Sequence, residues 1–252
     1  MTCMNRGAFF DLDGTLVPHP SLEARFFWHA LGRGLVKPGS FRAWMLWHGL
    51  NWATNSGRGM AARVEARNSN KLWLAGIHES SATNWASESA SRIRCFPAAL
   101  ARVGWHLAQS DRVFIVSGGL VPIIRAAIQV RPALRGVEIC ATQLEVSASG
   151  TFTGHSRGAA IVGRAKARAL ARLAALHDID LGQSFAYANS SADRWFLASV
   201  RHAFAVNPDQ ALTRVAERCG WPVMRWRRVS DAELSLGVDS AHPNTWRELE
   251  RS

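Results

Sequence analysis

The stretch Phe9-Phe10-Asp11-Leu12-Asp13-Gly14-Thr15-Leu16 decides how the rest of this 252-residue sequence is interpreted. The apolar run 7–10 predicts a short buried strand, which ends abruptly at two aspartates one residue apart. In an extended chain that spacing points both carboxylates the same way. Close carboxylates repel each other unless a cation or a shared proton offsets their charge. A hard divalent ion such as Mg²⁺, which prefers oxygen ligands, is the simple solution.

The residues after the aspartates fit a ligand site. Gly14 permits a tight turn and close approach of a ligand, and Thr15 offers a hydroxyl and a backbone N–H. The alternative is an ordinary surface turn, because Asp and Gly are common in turns. The apolar strand directly before Asp11 makes the turn interpretation the weaker one.

Two further apolar runs end in small or polar residues. Residues 113–116 lead to Ser117-Gly118-Gly119, and residues 184–188 lead to Asn189-Ser190. Strands that deliver such residues at their carboxyl ends are typical of an open parallel α/β sheet. Between and after them the sequence predicts helices over 120–129 and 163–176, a small hairpin within 136–153 and a last short strand over 203–206.

About a hundred residues of different character separate the first two strands. Helical spacing with bulky aromatic residues runs through 22–35 and 41–53, and a further helix is expected over 58–74. A connection of this length should form a unit of its own. We therefore predict a core of residues 1–17 and 92–229, an inserted helical cap over 18–91, and a polar C-terminal tail over 230–252.

Several other polar residues are ambiguous when considered singly. Ser117 and Gly118 could bind a phosphate oxygen at a helix start, or could simply cap a helix. Lys166 lies on a cationic helix, where a solvated side chain is the simpler interpretation. Asn189 and Asp193 could be a metal ligand and its support, or a helix start. Their order and common placement at predicted strand ends favour a site.

These segments together resemble the haloacid dehalogenase superfamily. Residues 9–16 resemble its first motif, Ser117-Gly118 its second, 163–166 its lysine motif, and 186–193 its fourth, with 205–209 as a continuation. The match is closest to the phosphoserine-phosphatase-like subfamily IB, whose cap lies between the first two motifs. The resemblance implies a Rossmann-like α/β core with an inserted helical cap.

The resemblance also implies a Mg²⁺-dependent phosphatase. Asp11 would attack phosphorus to form an aspartyl-phosphate. Asp13 would protonate the leaving oxygen and then deprotonate the hydrolytic water. The remaining implied roles are phosphoryl binding by Thr15, Ser117, Gly118 and the catalytic Lys166, magnesium ligation by Asp11, Asp13 and Asn189, and support of the metal shell by Asp193.

The sequence departs from the family pattern at two positions. Asn189 stands where the fourth motif usually has Asp, which replaces an anionic ligand by a neutral one. Phosphoserine phosphatases resemble one another in a Glu nine residues after the nucleophile. That position is Pro20 here, and the nearest carboxylate is Glu23. Phosphoserine is therefore not the favoured substrate.

The net charge and the cysteine pattern indicate which partners and which cellular location to expect. The chain has 30 Lys and Arg against 19 Asp and Glu, a net charge of +11, which favours anionic partners: phosphorylated metabolites, acidic lipid surfaces or nucleic acid. The charges are dispersed, so no nucleic-acid partner is expected. The four cysteines lie far apart and suggest neither zinc nor disulfides, which favours a cytoplasmic location. No signal peptide or transmembrane span is expected.

Three functions remain open from the sequence. The leading one is hydrolysis of a small phosphorylated metabolite. The second is hydrolysis of a phospholipid or its head group, with the basic aromatic cap in peripheral membrane contact. The third is a catalytically impaired protein that binds phosphorylated ligands. The cap residues Trp44, Trp47 and Trp52 are expected to be packing residues, with a pocket for an apolar or aromatic leaving group as the alternative. The sequence does not decide the oligomeric state.

Overall fold

The computed structural model of the protein describes residues 5–54 and 70–228. Its strands are β1 (Gly7–Phe10), β2 (Arg112–Leu120), β3 (Glu138–Thr142), β4 (Leu144–Val146), β5 (Phe152–Ser156), β6 (Phe185–Ala188), β7 (His202–Val206) and β8 (Val223–Met224). Six of them form a parallel sheet in the order β3–β2–β1–β6–β7–β8, and β4 pairs with β5 in an antiparallel hairpin. The predicted open parallel α/β sheet is therefore confirmed.

The position of β1 in the sheet brings the polar strand ends together. Phe9 lies opposite Phe114 of β2 on one side and Ala186 of β6 on the other. The pairing continues one residue further, because the N–H of Asp11 donates to the carbonyl of Tyr187 at 2.9 Å. The carboxyl ends of β2, β1 and β6 therefore meet at one edge of the sheet, as expected for a ligand site in this architecture.

The prediction that the strand over 203–206 is the last one was wrong. The sequence placed the last strand at 203–206, but β8 follows it and pairs with β7 in parallel at Ala205 and Val206. A strand of two residues is too short to show a period of two in the sequence.

The helices predicted over 22–35, 41–53, 120–129 and 163–176 are present, and the structure has further helices that the sequence did not predict. The helices are α1 (Leu22–Gly32), α2 (Pro38–Thr54), α3 (Glu79–Ser89), α4 (Pro97–Ala108), α5 (Val121–Gln129), α6 (Arg164–Leu176), α7 (Arg194–Leu197) and α8 (Gln210–Cys219). Local chemistry accounts for several starts. Ser21 caps α1 by accepting from the N–H of Ala24, Asp209 caps α8 through Leu212, and Pro97 occupies the first turn of α4.

Apolar residues cover both faces of the sheet, because successive strand residues point to opposite sides. Phe9 and Phe114 face α6 and α8 on one side. Phe10 and Ile115 face the other side, where their cluster also includes Phe26 of α1 and many other buried residues of the segment 18–91. The cap and core thus share one continuous apolar cluster.

Parts of the segment 18–91 also contact the core directly. Helix α3 packs against α5. The carbonyl of Phe152 in β5 accepts from the N–H of Gly76 at 2.8 Å, and its N–H donates to the carbonyl of Ile77 at 2.9 Å. The division into cap and core at residues 18 and 91 stays a prediction. Of the helix predicted over 58–74, residues 58–69 lie outside the described residues, and Leu72–Leu74 forms a short 3₁₀ helix.

Three remaining predictions concern the cysteines, membrane-spanning helices and the C-terminal tail. Cys95, Cys140 and Cys219 are free thiols, while Cys3 lies outside the described residues. In the part of the chain that the structure describes, no helix has the length and apolarity needed to cross a membrane. The predicted tail, residues 230–252, also lies outside the described residues.

Candidate active site

Asp11 is buried at the end of β1, and both of its carboxylate oxygens have partners. Oδ1 accepts from Lys166 Nζ at 2.6 Å, and Oδ2 accepts from Thr15 Oγ1 at 3.1 Å. The hydrogen bond from Thr15 is possible because the chain turns tightly after Leu12, whose carbonyl accepts the N–H groups of Thr15, Leu16 and Val17. The nucleophile candidate is therefore fixed in one orientation.

Lys166 is buried, not solvated as the simpler interpretation of its helix implied. Its Nζ also lies 3.2 Å from Asp193 Oδ1, and it contacts the Phe196 ring with 4.8 Å to the centroid. Burial alone would lower the pKa of Lys166, but the carboxylates of Asp11 and Asp193 outweigh it and raise the pKa above its usual value. Lys166 therefore carries its positive charge at neutral pH and lies between two acidic residues.

Asp193 shares this buried ion pair. Burial raises the pKa of its carboxyl group, Lys166 opposes that shift, and the nearby negative charge of Asp11 adds to it. A short 3₁₀ turn, Ser191–Asp193, places the residue after β6, and Ser190 caps that turn by accepting from the N–H of Ala192.

Asp13 is held by the beginning of the cap. Its Oδ1 accepts from the backbone N–H of Leu22, the first residue of α1, at 2.9 Å. Burial raises the pKa of Asp13 to about 7, the hydrogen bond from Leu22 opposes this shift, and the charges of Asp11 and Glu23 add to it. A carboxyl group with this pKa can be protonated or ionised near neutral pH, as an acid–base catalyst must be.

Asn189, Gly14 and His19 are in close contact. Asn189 Nδ2 donates to His19 Nε2 at 3.2 Å. Gly14 has φ +88°, and a Cβ there would lie 2.1 Å from Asn189 Nδ2. A side chain at residue 14 would therefore displace Asn189, so this position requires glycine for both its backbone conformation and its space.

Ser117 and Gly118 lie within β2, not at a helix start as predicted. The pairing of β2 with β3 is irregular between Ser117 and Leu120, and α5 begins only at Val121. Ser117 Oγ accepts from the N–H of Gly119 at 3.0 Å. A Cβ at Gly118 would lie 2.5 Å from Val162 Cγ1, so the strand can approach the loop before α6 only with glycine there.

One cavity of about 830 Å³ connects these groups. Seven of the eight predicted site residues border it: Asp11, Asp13, Ser117, Gly118, Lys166, Asn189 and Asp193. Thr15 is the exception, since it is fully buried and donates to Asp11. The structure gives Thr15 a contact that positions Asp11, and its contact with phosphate stays a prediction.

The cavity also includes residues to which the sequence assigned no role in the site. His19 contacts Asn189, and Asp209 binds the N–H groups of Ser191 and Leu212 at 2.9 and 2.7 Å. Asn70 and Lys71 border its cap end. The signal for Asp209 was its place in the motif continuation 205–209, but nothing local distinguishes Asn70 or Lys71 from other polar cap residues.

The donor atoms fit a hard divalent cation. Within the described residues, no three His, Cys, Asp or Glu side chains are grouped as a metal site. Asp11, Asp13 and Asn189 border one cavity, and residues of these types can offer carboxylate, backbone carbonyl and amide oxygens. Carboxylate and carbonyl oxygens are the ligands that Mg²⁺ prefers. Asp11 and Asp193 also exceed the charge of Lys166, so a phosphate dianion would need a further cation to enter.

Comparison with known proteins identifies the family of the chain. The sequence profile described as haloacid dehalogenase-like hydrolase matches residues 8–198. The chain is 35% identical over 123 residues to the "Inhibition of morphological differentiation protein" of Streptomyces azureus, covering 49% of this chain and 43% of that protein. It is 36% identical over 96 residues to a probable phosphatase of Mycobacterium tuberculosis, covering 38% and 33%. The chain thus matches less than half the length of these relatives.

Solved structures share the fold. A Bordetella pertussis protein of unknown function superposes with a TM-score of 0.65 at 24% identity, covering 88% of this chain and 99% of that one. A phosphoserine phosphatase captured as a phospho-aspartyl intermediate analogue gives 0.58 at 17% identity, covering 93% and 99%. At these identities the similarity concerns the fold alone.

Proposed function

Because the chain belongs to the haloacid dehalogenase-like hydrolase family, we propose that it is a Mg²⁺-dependent phosphatase that hydrolyses a phosphomonoester through an aspartyl-phosphate on Asp11. The observation that carries the proposal is the pairing of Asp11 with Lys166 at 2.6 Å in the cavity that Asp13 also borders. Nucleophile, cation and acid–base group are the three elements that this reaction needs at one place.

In the first step a carboxylate oxygen of Asp11 forms a bond to phosphorus, and the bond from phosphorus to the leaving oxygen breaks. Asp13 gives its proton to that oxygen, so the alcohol leaves neutral. The N–H of Leu22 keeps the Asp13 carboxyl group in one orientation during the transfer. The raised pKa of Asp13 supports its protonation at this stage.

In the second step water attacks the phosphorus of the aspartyl-phosphate. Asp13, now ionised, takes a proton from the water, and the bond between Asp11 and phosphorus breaks to release inorganic phosphate. Lys166 offsets the negative charge on the phosphoryl oxygens in both steps. Ser117 Oγ accepts from the N–H of Gly119, which leaves the hydroxyl hydrogen of Ser117 to donate to a phosphoryl oxygen.

Asp11, the Asp13 carbonyl and Asn189 would hold Mg²⁺, with Asp193 in support through Lys166. The amide nitrogen of Asn189 is used by His19, so its oxygen is the atom for the cation. When bound, Mg²⁺ supplies positive charge that lets a phosphate dianion approach the carboxylates.

The substrate is a phosphorylated small molecule in this proposal, and the reaction takes place in the cytoplasm. The cysteine pattern supports that location, because it contains no spacing typical of secreted disulfide scaffolds.

A second candidate is a phospholipid head-group phosphatase at a membrane surface. Its support is three exposed apolar side chains of the first two helices, Trp28, Leu46 and Leu50, which are 66%, 74% and 70% exposed. Arg33, Lys37 and Arg42, which are also exposed, flank these residues in sequence. An apolar surface with basic neighbours is suited to anionic lipid.

The test is hydrolysis of an aryl phosphate with and without Mg²⁺, for the wild type, Asp11→Asn and Glu145→Gln. Glu145 is an exposed carboxylate that does not border the cavity, so it controls for the substitution itself. We expect Mg²⁺-dependent turnover that falls at least roughly a thousandfold in Asp11→Asn and is unchanged in Glu145→Gln. Absence of turnover in a folded wild type with every phosphomonoester tested would instead favour the impaired binding protein.

A further inference from the structure

The cavity extends well beyond the place where phosphate would bind. Its volume of about 830 Å³ lies near the upper end of the range for small-molecule sites. One end is formed by Asp11, Lys166 and the carboxyl end of β2. The other end is formed by residues of the cap, and these must contact the part of the substrate that leaves with the oxygen.

Three aromatic side chains form one wall of the cap end. Phe27 lies against Trp73 in an edge-to-face arrangement with centroids 5.0 Å apart, and its ring is 5.8 Å from that of Trp44. All three border the cavity. We call Phe27, Trp44 and Trp73 the aromatic wall. Trp44 and Phe27 also pack against the main apolar cluster, so for Trp44 packing and pocket lining are both observed.

The other cap tryptophans do not contribute to this wall in the same way. Trp47 is partly exposed and is not among the residues that border the cavity. The side chain of Trp52 lies outside the described part of the structure.

A buried hydrogen-bond donor borders the same cavity as the aromatic wall. Asn70 is 8% exposed, and its Oδ1 accepts from the N–H of Leu72 at 2.9 Å. Its Nδ2 is buried and has no hydrogen-bond partner among the described residues. Asn70 borders the cavity, two residues from Leu72 and three from Trp73. A buried donor without a partner is costly, and a ligand with an acceptor at this place would remove the cost.

The neighbouring charges are already paired. Lys71 Nζ donates to Glu23 Oε2, and the two side chains are 4% and 18% exposed. A substrate ammonium group would have to compete with Lys71 for the Glu23 carboxylate. Recognition of an amine by Glu23 is therefore disfavoured, which agrees with the view that phosphoserine is not the substrate.

We propose that the substrate is the phosphomonoester of an alcohol that carries a planar unsaturated ring with a hydrogen-bond acceptor. The ring lies on the aromatic wall, and the acceptor receives the N–H of Asn70 Nδ2. This inference rests on the proposed function, since it places the phosphoryl group at Asp11. Hydrolysis consumes one water and releases the ring-bearing alcohol and inorganic phosphate.

Three phosphates of similar size test the two contacts separately. Cyclohexylmethyl phosphate lacks the planar ring, benzyl phosphate has it, and pyridylmethyl phosphate adds a ring nitrogen as acceptor. For the wild type at pH 7.5 we expect kcat/KM to rise about fivefold from the first to the second through aromatic contact. We expect a further rise of about tenfold from the second to the third, for the pyridyl isomer whose nitrogen meets Asn70.

The variant Asn70→Asp isolates the donor. It retains the Oδ1 that accepts from Leu72, so the local fold is preserved, and it replaces the Nδ2 donor by an acceptor. The added negative charge lowers turnover of all three substrates, but the ratio of pyridylmethyl to benzyl phosphate is independent of that common effect. We expect this ratio to fall to about one or below. Trp44→Leu should reduce the ratio of benzyl to cyclohexylmethyl phosphate in the same way.

The outcomes distinguish the inference from the proposed function. Equal kcat/KM values for the three substrates in an active wild type would overturn the inference and leave the phosphatase intact. A ratio of pyridylmethyl to benzyl phosphate that persists in Asn70→Asp would also overturn it, because another group would then recognise the ring nitrogen. If Asn70→Asp does not fold, the wild-type ratios across the pyridyl isomers still decide, since a single preferred isomer is expected. Failure of the wild type to hydrolyse any phosphomonoester would overturn both.

Discussion

Asp13 Oδ1 accepts a hydrogen bond from the backbone N–H of Leu22 at 2.9 Å, so the proposed acid–base group of the core is held by the first residue of the first cap helix. The N–H groups in the first turn of a helix have no partner within the helix, and an acidic side chain satisfies one of them favourably. Any movement of α1 therefore also moves the group that transfers the proton.

The raised pKa of Asp13 predicts how leaving groups respond to pH. Asp13 with a pKa of about 7 is protonated below that value and loses its proton above it. An alkyl alcohol needs the proton to leave, whereas nitrophenolate does not. We expect kcat/KM for benzyl phosphate to fall about tenfold per pH unit above about pH 7, while that for 4-nitrophenyl phosphate falls less steeply. In Asp13→Asn the difference between the two profiles should disappear, and parallel profiles in the wild type would contradict the role of Asp13.

Gly14→Ala should weaken the response to Mg²⁺, because a Cβ at this position would collide with Asn189. Gly34→Ala is a matched control, since Gly34 also has a positive φ, +67°, but has open space around its Cβ position. Both variants should lose roughly 1 kcal/mol or more of stability through backbone strain. We expect only Gly14→Ala to raise the Mg²⁺ concentration needed for half-maximal activity. An equal rise in this Mg²⁺ concentration in both variants would show that backbone strain, and not the collision with Asn189, weakens the response to Mg²⁺.

Removal of the buried cation should destabilise the fold as well as abolish activity. Lys166→Met leaves Asp11 and Asp193 buried without their partner, and such a break costs roughly 3–5 kcal/mol. The double variant Lys166→Met/Asp193→Asn should recover part of the loss in urea unfolding, because one of the two negative charges is then removed. Both variants should remain inactive. Equal stability of the single and double variants would argue against strong coupling between Lys166 and Asp193.

A second buried network predicts the pH dependence of stability. His106 is fully buried, with Nδ1 2.7 Å from Asp111 Oδ2 and Nε2 2.9 Å from the hydroxyl of Tyr187. Burial lowers the pKa of His106 to about 4, although Asp111 opposes the shift. In the unfolded chain His106 binds a proton near pH 6.5, whereas in the folded protein it binds one only near pH 4. The free energy of unfolding therefore falls as the pH is lowered from about 6.5 to about 4.

The His106 contribution should reach roughly 3 kcal/mol at pH 4, from a shift of about 2.5 pH units. Urea unfolding of the wild type and His106→Gln between pH 7 and 4 measures it as a difference. Asp13, whose pKa is raised, changes stability in the opposite direction in both proteins and cancels. We expect the wild type to lose stability more steeply than His106→Gln. Parallel curves would mean that His106 becomes protonated in the folded state near its usual pKa.

Vesicle binding distinguishes the two candidate functions. With a net charge of +11, the protein should co-sediment with anionic vesicles at low salt and be released at high salt, as expected for charge attraction alone. Leu46 in the cap and Leu176 in the core are both 74% exposed, so Leu46→Ser and Leu176→Ser are matched variants. Under the metabolite phosphatase proposal neither variant changes binding. Salt-resistant binding that only Leu46→Ser abolishes would favour the phospholipid candidate.

The fold could be predicted to a large extent because its signals are local. Apolar runs that end at Asp11, Ser117 and Asn189 identify strands and their carboxyl ends, and the order of the motifs identified the family. The hydrophobic pattern did not reveal β8, nor could it place Ser117 and Gly118 within β2, since an irregular pairing with β3 depends on the neighbouring strand.

The sequence by itself determined the α/β class, the family and the residue types available for the chemistry, because apolar periodicity and short motifs depend on neighbours along the chain. Only the tertiary structure decided that Lys166 is buried between two carboxylates, since helix propensity does not distinguish it from Arg168 or Arg172. It also decided the contact between His19 and Asn189, which are 170 residues apart. Such contacts depend on packing between distant segments, and no local pattern in the sequence records them.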